Sequence, residues 1–167
     1  MRQLTLIRHA KSSWSNVSMG DFERPLSARG LRDAPRMGAY LKELPLPPVS
    51  RMISSPALRA RTTADLIAKE LGLAAERLTL EPGIYGASLS GLFELVHGLE
   101  EADGHVVLVG HNPGFEQLTR ALDPDFAGNG AKYPTCGVAL MQLAVETWTE
   151  VDEGCVERSW FVYPKML

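Results

Sequence analysis

Short apolar runs alternate along the chain with longer segments in which apolar residues recur every three or four positions. The short runs are rich in leucine and β-branched residues, as is typical of strands, whereas the longer period is typical of amphipathic helices. Strands are predicted at residues 4–7, 52–53, 78–80, 106–109, 138–143 and 155–162. The last two are predicted to form a closing antiparallel pair. The alternation predicts an α/β fold in which crossover helices connect the strands of one sheet.

Helices are predicted at residues 28–44, 57–71 and 92–99, and from residue 113 onward. The end signals are Ser27, Ser55 and Asn112 as N-caps, Pro56 and Pro113 at first helical positions, and Gly72 as a C-terminal stop. Pro35 lies inside the first helix and lacks a backbone N–H, so a kink or a late start is expected there.

The composition fits one domain over residues 1–167, since 45% of the residues are apolar. The net charge is −3, from 17 basic and 20 acidic side chains, and no Lys/Arg run stands out. We therefore expect neither nucleic acid nor an anionic membrane as a partner. The chain as given has no signal-peptide core and no apolar stretch of roughly 20 residues, so a soluble, cytoplasmic protein is expected. The oligomeric state is left open.

Cys136 and Cys155 are the only two cysteines. Two cysteines make neither a disulfide framework nor a zinc knuckle. Buried free thiols are the preferred interpretation, and a single bridge between them stays open at this stage.

Polar, chemically capable residues follow three of the predicted strands directly. They are Arg8-His9 after the first strand, Ser54-Ser55-Pro56 with Arg59 after the second, and Gly110-His111 after the strand at 106–109. In an open α/β sheet, ligands bind outside the carboxyl ends of the strands. We therefore expect two histidines and two arginines to meet in one crevice.

Such a group suits a phosphoryl ligand. Guanidinium forks match phosphate oxygens, and helix N-termini add backbone donors. A neutral imidazole can attack phosphorus in line and form a phosphohistidine intermediate. No metal and no cofactor is predicted, because a zinc site on His9 and His111 would want a third protein ligand.

Three motifs, in this order, resemble the histidine phosphatase superfamily: LIRHAKS at 6–12, SSPALRARTTA at 54–64 and VGHNP at 109–113. The likeness runs from residue 4 to about 143. The short chain, with DFERPLS at 21–27 and EPGIY at 81–85, brings it closest to SixA-type phosphohistidine phosphatases. The resemblance implies a phosphoglycerate mutase-like fold, a three-layer α/β/α sandwich around a mostly parallel sheet.

The resemblance also implies roles for individual residues. His9 corresponds to the nucleophile, Arg8 and Arg59 to the residues that bind the phosphoryl group, and His111 to a donor toward its oxygens. Glu81 matches the usual proton donor, and an ordinary surface carboxylate is the alternative.

For several other residues the sequence supports only less specific expectations. Asn112 and Arg24 are candidates for substrate binding, although Arg24 could instead pair with an acid of its loop. Ala10 replaces the glycine that usually follows the nucleophile, and its methyl group could restrict the approach of the backbone to a ligand. Arg61 is expected to be a solvated charge. His97 and His105 are expected to be ordinary helix-end and strand-edge histidines.

The leaving group guides the choice of substrate. Imidazole leaves more readily than an alkoxide and demands less proton donation. Because the sequence does not fix which residue donates the proton, phosphohistidine on a protein is the favoured substrate. The chain also lacks room for long insertions that would cover a small substrate. The alternatives are a small-molecule phosphomonoesterase or mutase of the same superfamily, acting on a phosphorylated metabolite, and a phosphoprotein-binding module without turnover.

Overall fold

The computed structural model describes residues 1–126 and 132–167. In that part of the chain the main elements are β1 (Arg2–Arg8), α1 (Ala28–Glu43), β2 (Arg51–Ser54), α2 (Leu58–Leu71), β3 (Leu78–Leu80), α3 (Leu89–His97), β4 (His105–Gly110), α4 (Gly114–Leu122), β5 (Val138–Leu143) and β6 (Val156–Val162). None of the described helices has the length and apolar character needed to cross a membrane.

The strands form one mostly parallel sheet in the order β3-β2-β4-β1-β5-β6. The first four strands of the chain run parallel, and β5 and β6 are added as an antiparallel pair. Every residue of β4 is buried, because β4 lies between two strands and is covered on both faces. This buried, central position explains why the sequence of β4 contains an uninterrupted apolar run.

Helices cover both faces of the sheet, which gives the three layers implied by the resemblance. On one face α1 and α2 pack over a cluster that includes Met37, Ile67 and Val107. On the other face α3 and α4 pack over a cluster that includes Phe115 and Leu108. The predicted three-layer α/β/α fold is confirmed.

Two of the predicted helix ends are confirmed. Ser27 caps α1, since its hydroxyl accepts a hydrogen bond from the N–H of Gly30 at 3.2 Å. Gly72 ends α2 in the left-handed region with φ of 68°, where a side chain would be strained. α1 begins at Ala28 despite Pro35, so the proline does not delay its start.

Other predicted ends are wrong. α2 begins at Leu58 without a side-chain cap, so Pro56 lies before the helix. α4 begins at Gly114, so Pro113 lies before the helix, and the side chain of Asn112 accepts no cap hydrogen bond from its N–H groups. The third helix starts earlier than predicted, because the hydroxyl of Ser88 caps it by accepting from the N–H of Gly91. It ends at His97, before Gly98.

Candidate active site

The carboxyl ends of β1, β2 and β4 lie side by side, as expected. The N–H of His9 donates to the carbonyl of Gly110 at 2.9 Å, and the N–H of Ser55 donates to the carbonyl of Val109 at 2.9 Å. These bonds continue the parallel ladder just beyond the strands. They bring the imidazoles of His9 and His111 to 5.2 Å between ring centroids.

The hydrogen bonds of His9 define its tautomer. Nδ1 lies 2.7 Å from the carbonyl oxygen of Ala10, which can only accept, so Nδ1 carries the hydrogen. Nε2 accepts from Nε of Arg59 at 3.3 Å, and a guanidinium can only donate. The buried ring therefore holds a lone pair on Nε2, the atom that a nucleophile would use.

Burial also keeps His9 neutral. Loss of hydration lowers the pKa of His9 to about 3, the bond to the Ala10 carbonyl opposes this shift, and His111, Arg59 and Arg8 add to it. At neutral pH the imidazole is therefore unprotonated, although it lies among cations. This is the state that nucleophilic attack requires.

Arg59 is held by a residue that the sequence analysis did not single out, Asp21. Its Nη1 donates to the backbone carbonyl of Asp21 at 2.6 Å, and its Nη2 lies 3.0 Å from the Asp21 carboxylate. The hydroxyl of Tyr85 donates to the same carboxylate at 2.6 Å. That bond and the Arg59 guanidinium lower the pKa of Asp21. Asp21 is therefore an ionised anchor for Arg59, and a poor proton donor.

His111 is the second imidazole of the site. Its Nε2 lies 2.8 Å from the hydroxyl of Ser55, which also accepts from the N–H of Ala57 at 3.2 Å. Burial lowers the pKa of His111 to about 4, so the ring is neutral at physiological pH. When Ser55 donates to Nε2, the ring hydrogen lies on Nδ1. Among the described residues this buried Nδ1 has no hydrogen-bond partner, so it can donate to a ligand.

Arg8 and Asn112 converge on one carbonyl. Nη1 of Arg8 donates to the carbonyl of Tyr133 at 2.7 Å, and the amide nitrogen of Asn112 donates to it at 3.3 Å and to Glu116 at 3.3 Å. Within the described part of the chain, Nε of Arg8 and Oδ1 of Asn112 are buried without a partner. Arg8 thus keeps one N–H donor that a ligand oxygen could accept from. The free atom of Asn112 is an acceptor, which suits an N–H or O–H of a substrate.

Glu81 and Arg24 make their contacts outside the cluster of two arginines and two histidines. Oε1 of Glu81 accepts from the N–H of Gly83 at 2.8 Å and caps the short 3-10 segment Pro82–Ile84. No hydrogen bond joins Glu81 to the two arginines and two histidines in the described residues. Arg24 is buried, donates to the carbonyls of Ser13 and Met19, and stacks on the ring of Trp14 at 3.7 Å. Arg24 therefore fixes its own loop, and within the described residues it pairs with no acid.

The structure also shows where the other residues considered in the sequence lie. Ala10 is fully buried in the cluster beneath α1 and α2, so its methyl group belongs to the core. Arg61 is exposed. His105 is the buried first residue of the inner strand β4, between the carbonyl of Pro47 and the hydroxyl of Thr5, so it is not on an edge strand. His97 ends α3, as expected. Cys136 and Cys155 are both free. In the described ranges, no three His, Cys, Asp or Glu side chains are grouped to hold a metal ion.

Comparison with known proteins identifies related chains. Residues 4–84 match the family described as histidine phosphatase superfamily, branch 1. An uncharacterised chloroplastic protein of Arabidopsis thaliana is 31% identical over 89% of this chain and 70% of its own length. An uncharacterised protein of Mycobacterium tuberculosis is 30% identical over 95% of this chain and all of its own length.

Solved structures with the same fold include two SixA proteins. The protein histidine phosphatase SixA in complex with tungstate has a TM-score of 0.80 at 22% identity, with 98% of both chains covered. A SixA protein from Nakamurella, a candidate phosphohistidine phosphatase, has a TM-score of 0.80 at 25% identity, with 98% of this chain and 96% of its own covered. A mycobacterial glucosyl-3-phosphoglycerate phosphatase has a TM-score of 0.64 at 18% identity, with 96% and 97% covered. The family match and the shared fold agree with the strand-end chemistry.

Proposed function

We propose that this chain, which belongs to the histidine phosphatase superfamily, is a phosphatase that hydrolyses phosphohistidine on proteins through a phosphoryl intermediate on His9. The observation that carries this proposal is the tautomer of His9. Its Nε2 has a lone pair, faces Arg59 and lies in a ring 5.2 Å from that of His111.

In the first step Nε2 of His9 attacks the phosphorus atom in line. The bond from phosphorus to the substrate imidazole breaks while the bond to His9 forms, and the substrate ring, protonated on its other nitrogen, keeps the electron pair and leaves as neutral imidazole. Arg8 and Arg59 neutralise charge on the phosphoryl oxygens, and Nδ1–H of His111 donates to one of them. Fixed donors of this kind stabilise the transition state more than solvent does.

In the second step water attacks the phosphorylated His9 and releases inorganic phosphate. The carbonyl of Ala10 keeps the proton on Nδ1, so the ring returns to its starting tautomer. This mechanism needs no metal ion, because two guanidiniums meet the charge of the phosphoryl group. It is therefore proposed to be metal-independent.

A phosphohistidine substrate is supported by the contacts of the two carboxyl groups that could act as proton donors, Glu81 and Asp21. Glu81 caps the segment Pro82–Ile84 and makes no hydrogen bond to the two arginines and two histidines in the described residues, and Asp21 is held in its ionised form, so neither carboxyl group is placed as an acid in this arrangement. A substrate whose leaving group needs little proton donation suits this site better than an alkyl phosphate. Hydrolysis of a small phosphomonoester is the competing function.

The test compares a phosphohistidine protein, p-nitrophenyl phosphate and an alkyl phosphate as substrates of the purified chain. We expect the highest kcat/KM for phosphohistidine, and no turnover by His9→Ala. A 32P label should form an acid-labile adduct on the wild type and on the control Arg61→Ala, but not on His9→Ala. Label on Ser or Asp would refute the nucleophile, and faster turnover of phosphometabolites would refute the substrate. Binding without any turnover would make the chain a phosphoprotein-binding module.

A further inference from the structure

A second concave surface adjoins the candidate active site. It is a cleft of about 730 Å³ between α1, the end of β1, residues 132–135 and residues 163–165. Arg8 lines it, and Arg8 is also an arginine of the candidate site. A cleft of this volume is within the usual range for ligand sites. We call it the basic cleft.

The charge of the basic cleft is opposite to that of the whole chain. Seven of the 17 Lys and Arg residues line it, together with one acid, Asp33, whereas the chain carries −3 overall. Lys11, Lys132 and Lys165 are among them and come from three separate segments. Because these segments are far apart in sequence, the concentration of positive charge is created by the fold.

One side of α1 supplies a row of arginines. Arg29, Arg32 and Arg36 recur at helical spacing, and the rise between the first and last is roughly 10 Å. Asp33 is buried beneath them and lies 3.6 Å from Arg29 and 3.7 Å from Arg36. Among the ion pairs of the described residues, Arg32 has no acidic partner. The row therefore keeps a net positive charge directed to solvent.

We propose that the basic cleft binds an acidic segment of the protein substrate that flanks its phosphohistidine. This inference rests on the proposed function, since it assigns a second contact to the same substrate. An extended peptide advances about 3.3 Å per residue, so three acidic residues match the length of the arginine row. The phosphohistidine is held at Arg8 while the flanking carboxylates lie along α1.

The exposure of the cations favours an extended peptide over a compact polyphosphate. The side chains of Arg29 and Arg36 are 53% and 47% exposed, and Arg32 and Lys165 are exposed as well. A tight site for a small polyanion fixes its arginines by burial and hydrogen bonds. The exposed Arg and Lys side chains of the cleft can instead attract a segment with several carboxylates through long-range electrostatic interactions.

The experiment uses two phosphohistidine peptides that differ only at three flanking positions, with Asp in one and Asn in the other. At low ionic strength, wild-type kcat/KM should be roughly ten-fold higher for the Asp peptide, and salt should reduce this preference. The double variant Arg32→Gln/Lys165→Gln should lose most of the preference. The matched control Arg61→Gln/Arg77→Gln removes the same charge from residues outside the cleft and should retain it.

Equal kcat/KM for the two peptides in the wild type would overturn the inference, as would equal loss of preference in both double variants. If neither peptide is hydrolysed but p-nitrophenyl phosphate is, the proposed phosphohistidine substrate is wrong. The cleft is then tested by inhibition. The unphosphorylated Asp peptide must inhibit the wild type more strongly than the cleft variant. Inhibition by tripolyphosphate alone would overturn the acidic segment in favour of a polyphosphorylated small molecule.

Discussion

The two neutral imidazoles of the site should make the folded protein sensitive to mild acid. Both have lowered pKa values, about 3 for His9 and about 4 for His111, mainly because they are buried. The unfolded chain binds their protons near pH 6.5, the ordinary pKa of histidine. Between these values the unfolded state carries more protons than the folded state. Stability is therefore highest above pH 6.5 and falls as the pH decreases toward about 3.

The size of this effect between pH 7 and 5 depends little on the folded-state pKa. Once that pKa lies below about 4.5, the loss is set by protonation of the unfolded chain, which amounts to about 2 kcal/mol per histidine over this interval. We therefore expect His9 and His111 together to remove about 4 kcal/mol from the free energy of unfolding. This is a large fraction of the stability of a typical domain.

The measurement is urea unfolding at pH 7 and pH 5 for the wild type, His9→Asn and His111→Asn. Each variant removes one titrating group from both states, so its stability should fall by about 2 kcal/mol less than that of the wild type. Arg61→Gln keeps every histidine and should show the wild-type difference. Identical losses in all four proteins would show that the two imidazoles are protonated in the folded state, and the argument for a neutral nucleophile would then fail.

Three further predictions concern turnover. Arg59→Ala should reduce kcat/KM by on the order of 100-fold, because a fixed donor to the phosphoryl oxygens is lost, whereas Arg61→Ala should change little; similar losses in both would refute the placement of α2. Asp21→Asn should lower kcat/KM roughly ten-fold, because the charge-assisted contact that holds Arg59 is weakened, and unchanged kinetics would remove Asp21 from the site. Glu81→Gln should leave alkyl phosphate hydrolysis nearly unchanged, because Glu81 caps the segment Pro82–Ile84; a selective loss with alkyl phosphates would make Glu81 the proton donor, and a uniform loss across leaving groups would make it a positioning residue.

The sheet and most of its helices could be predicted because their signals are local. An unbroken apolar run identified β4, and Gly72 identified the end of α2, where the structure has it in the left-handed conformation. The caps of α2 and α4 could not be predicted in the same way. The hydroxyl of Ser55 accepts from the N–H of Ala57, before the helix, and contacts His111, whereas the amide nitrogen of Asn112 donates to Glu116 and to the Tyr133 carbonyl. Two residues with good capping propensity are thus oriented by other contacts, and those with His111 and Tyr133 are distant in sequence.

The candidate site was predictable to the extent that strand ends determine it. His9 and His111 follow β1 and β4, and the rule for parallel sheets brings such residues together. Asp21 lies in an irregular loop and reaches Arg59 across 38 positions of sequence, so no periodicity or motif spacing indicated their ion pair. The basic cleft escaped the sequence analysis for a related reason. Its cations form no continuous run, and only the packing of α1 beside residues 132–135 and 163–165 gathers them.

The position of Asp21 also bears on how the site could release its product. In the structure the Arg59 guanidinium uses Nη1 and Nη2 for Asp21 and Nε for His9. Three of the five guanidinium N–H groups are therefore engaged, and a phosphoryl group must compete with the exposed Asp21 carboxylate for the positive charge of Arg59. The competition weakens binding of a dianion in the ground state, but it costs less in the transition state, where the in-line geometry places more charge against the guanidinium. Asp21 would then favour departure of inorganic phosphate, and Asp21→Asn should lower both kcat and the inhibition constant of phosphate. A lower kcat with unchanged phosphate inhibition would limit Asp21 to orienting Arg59.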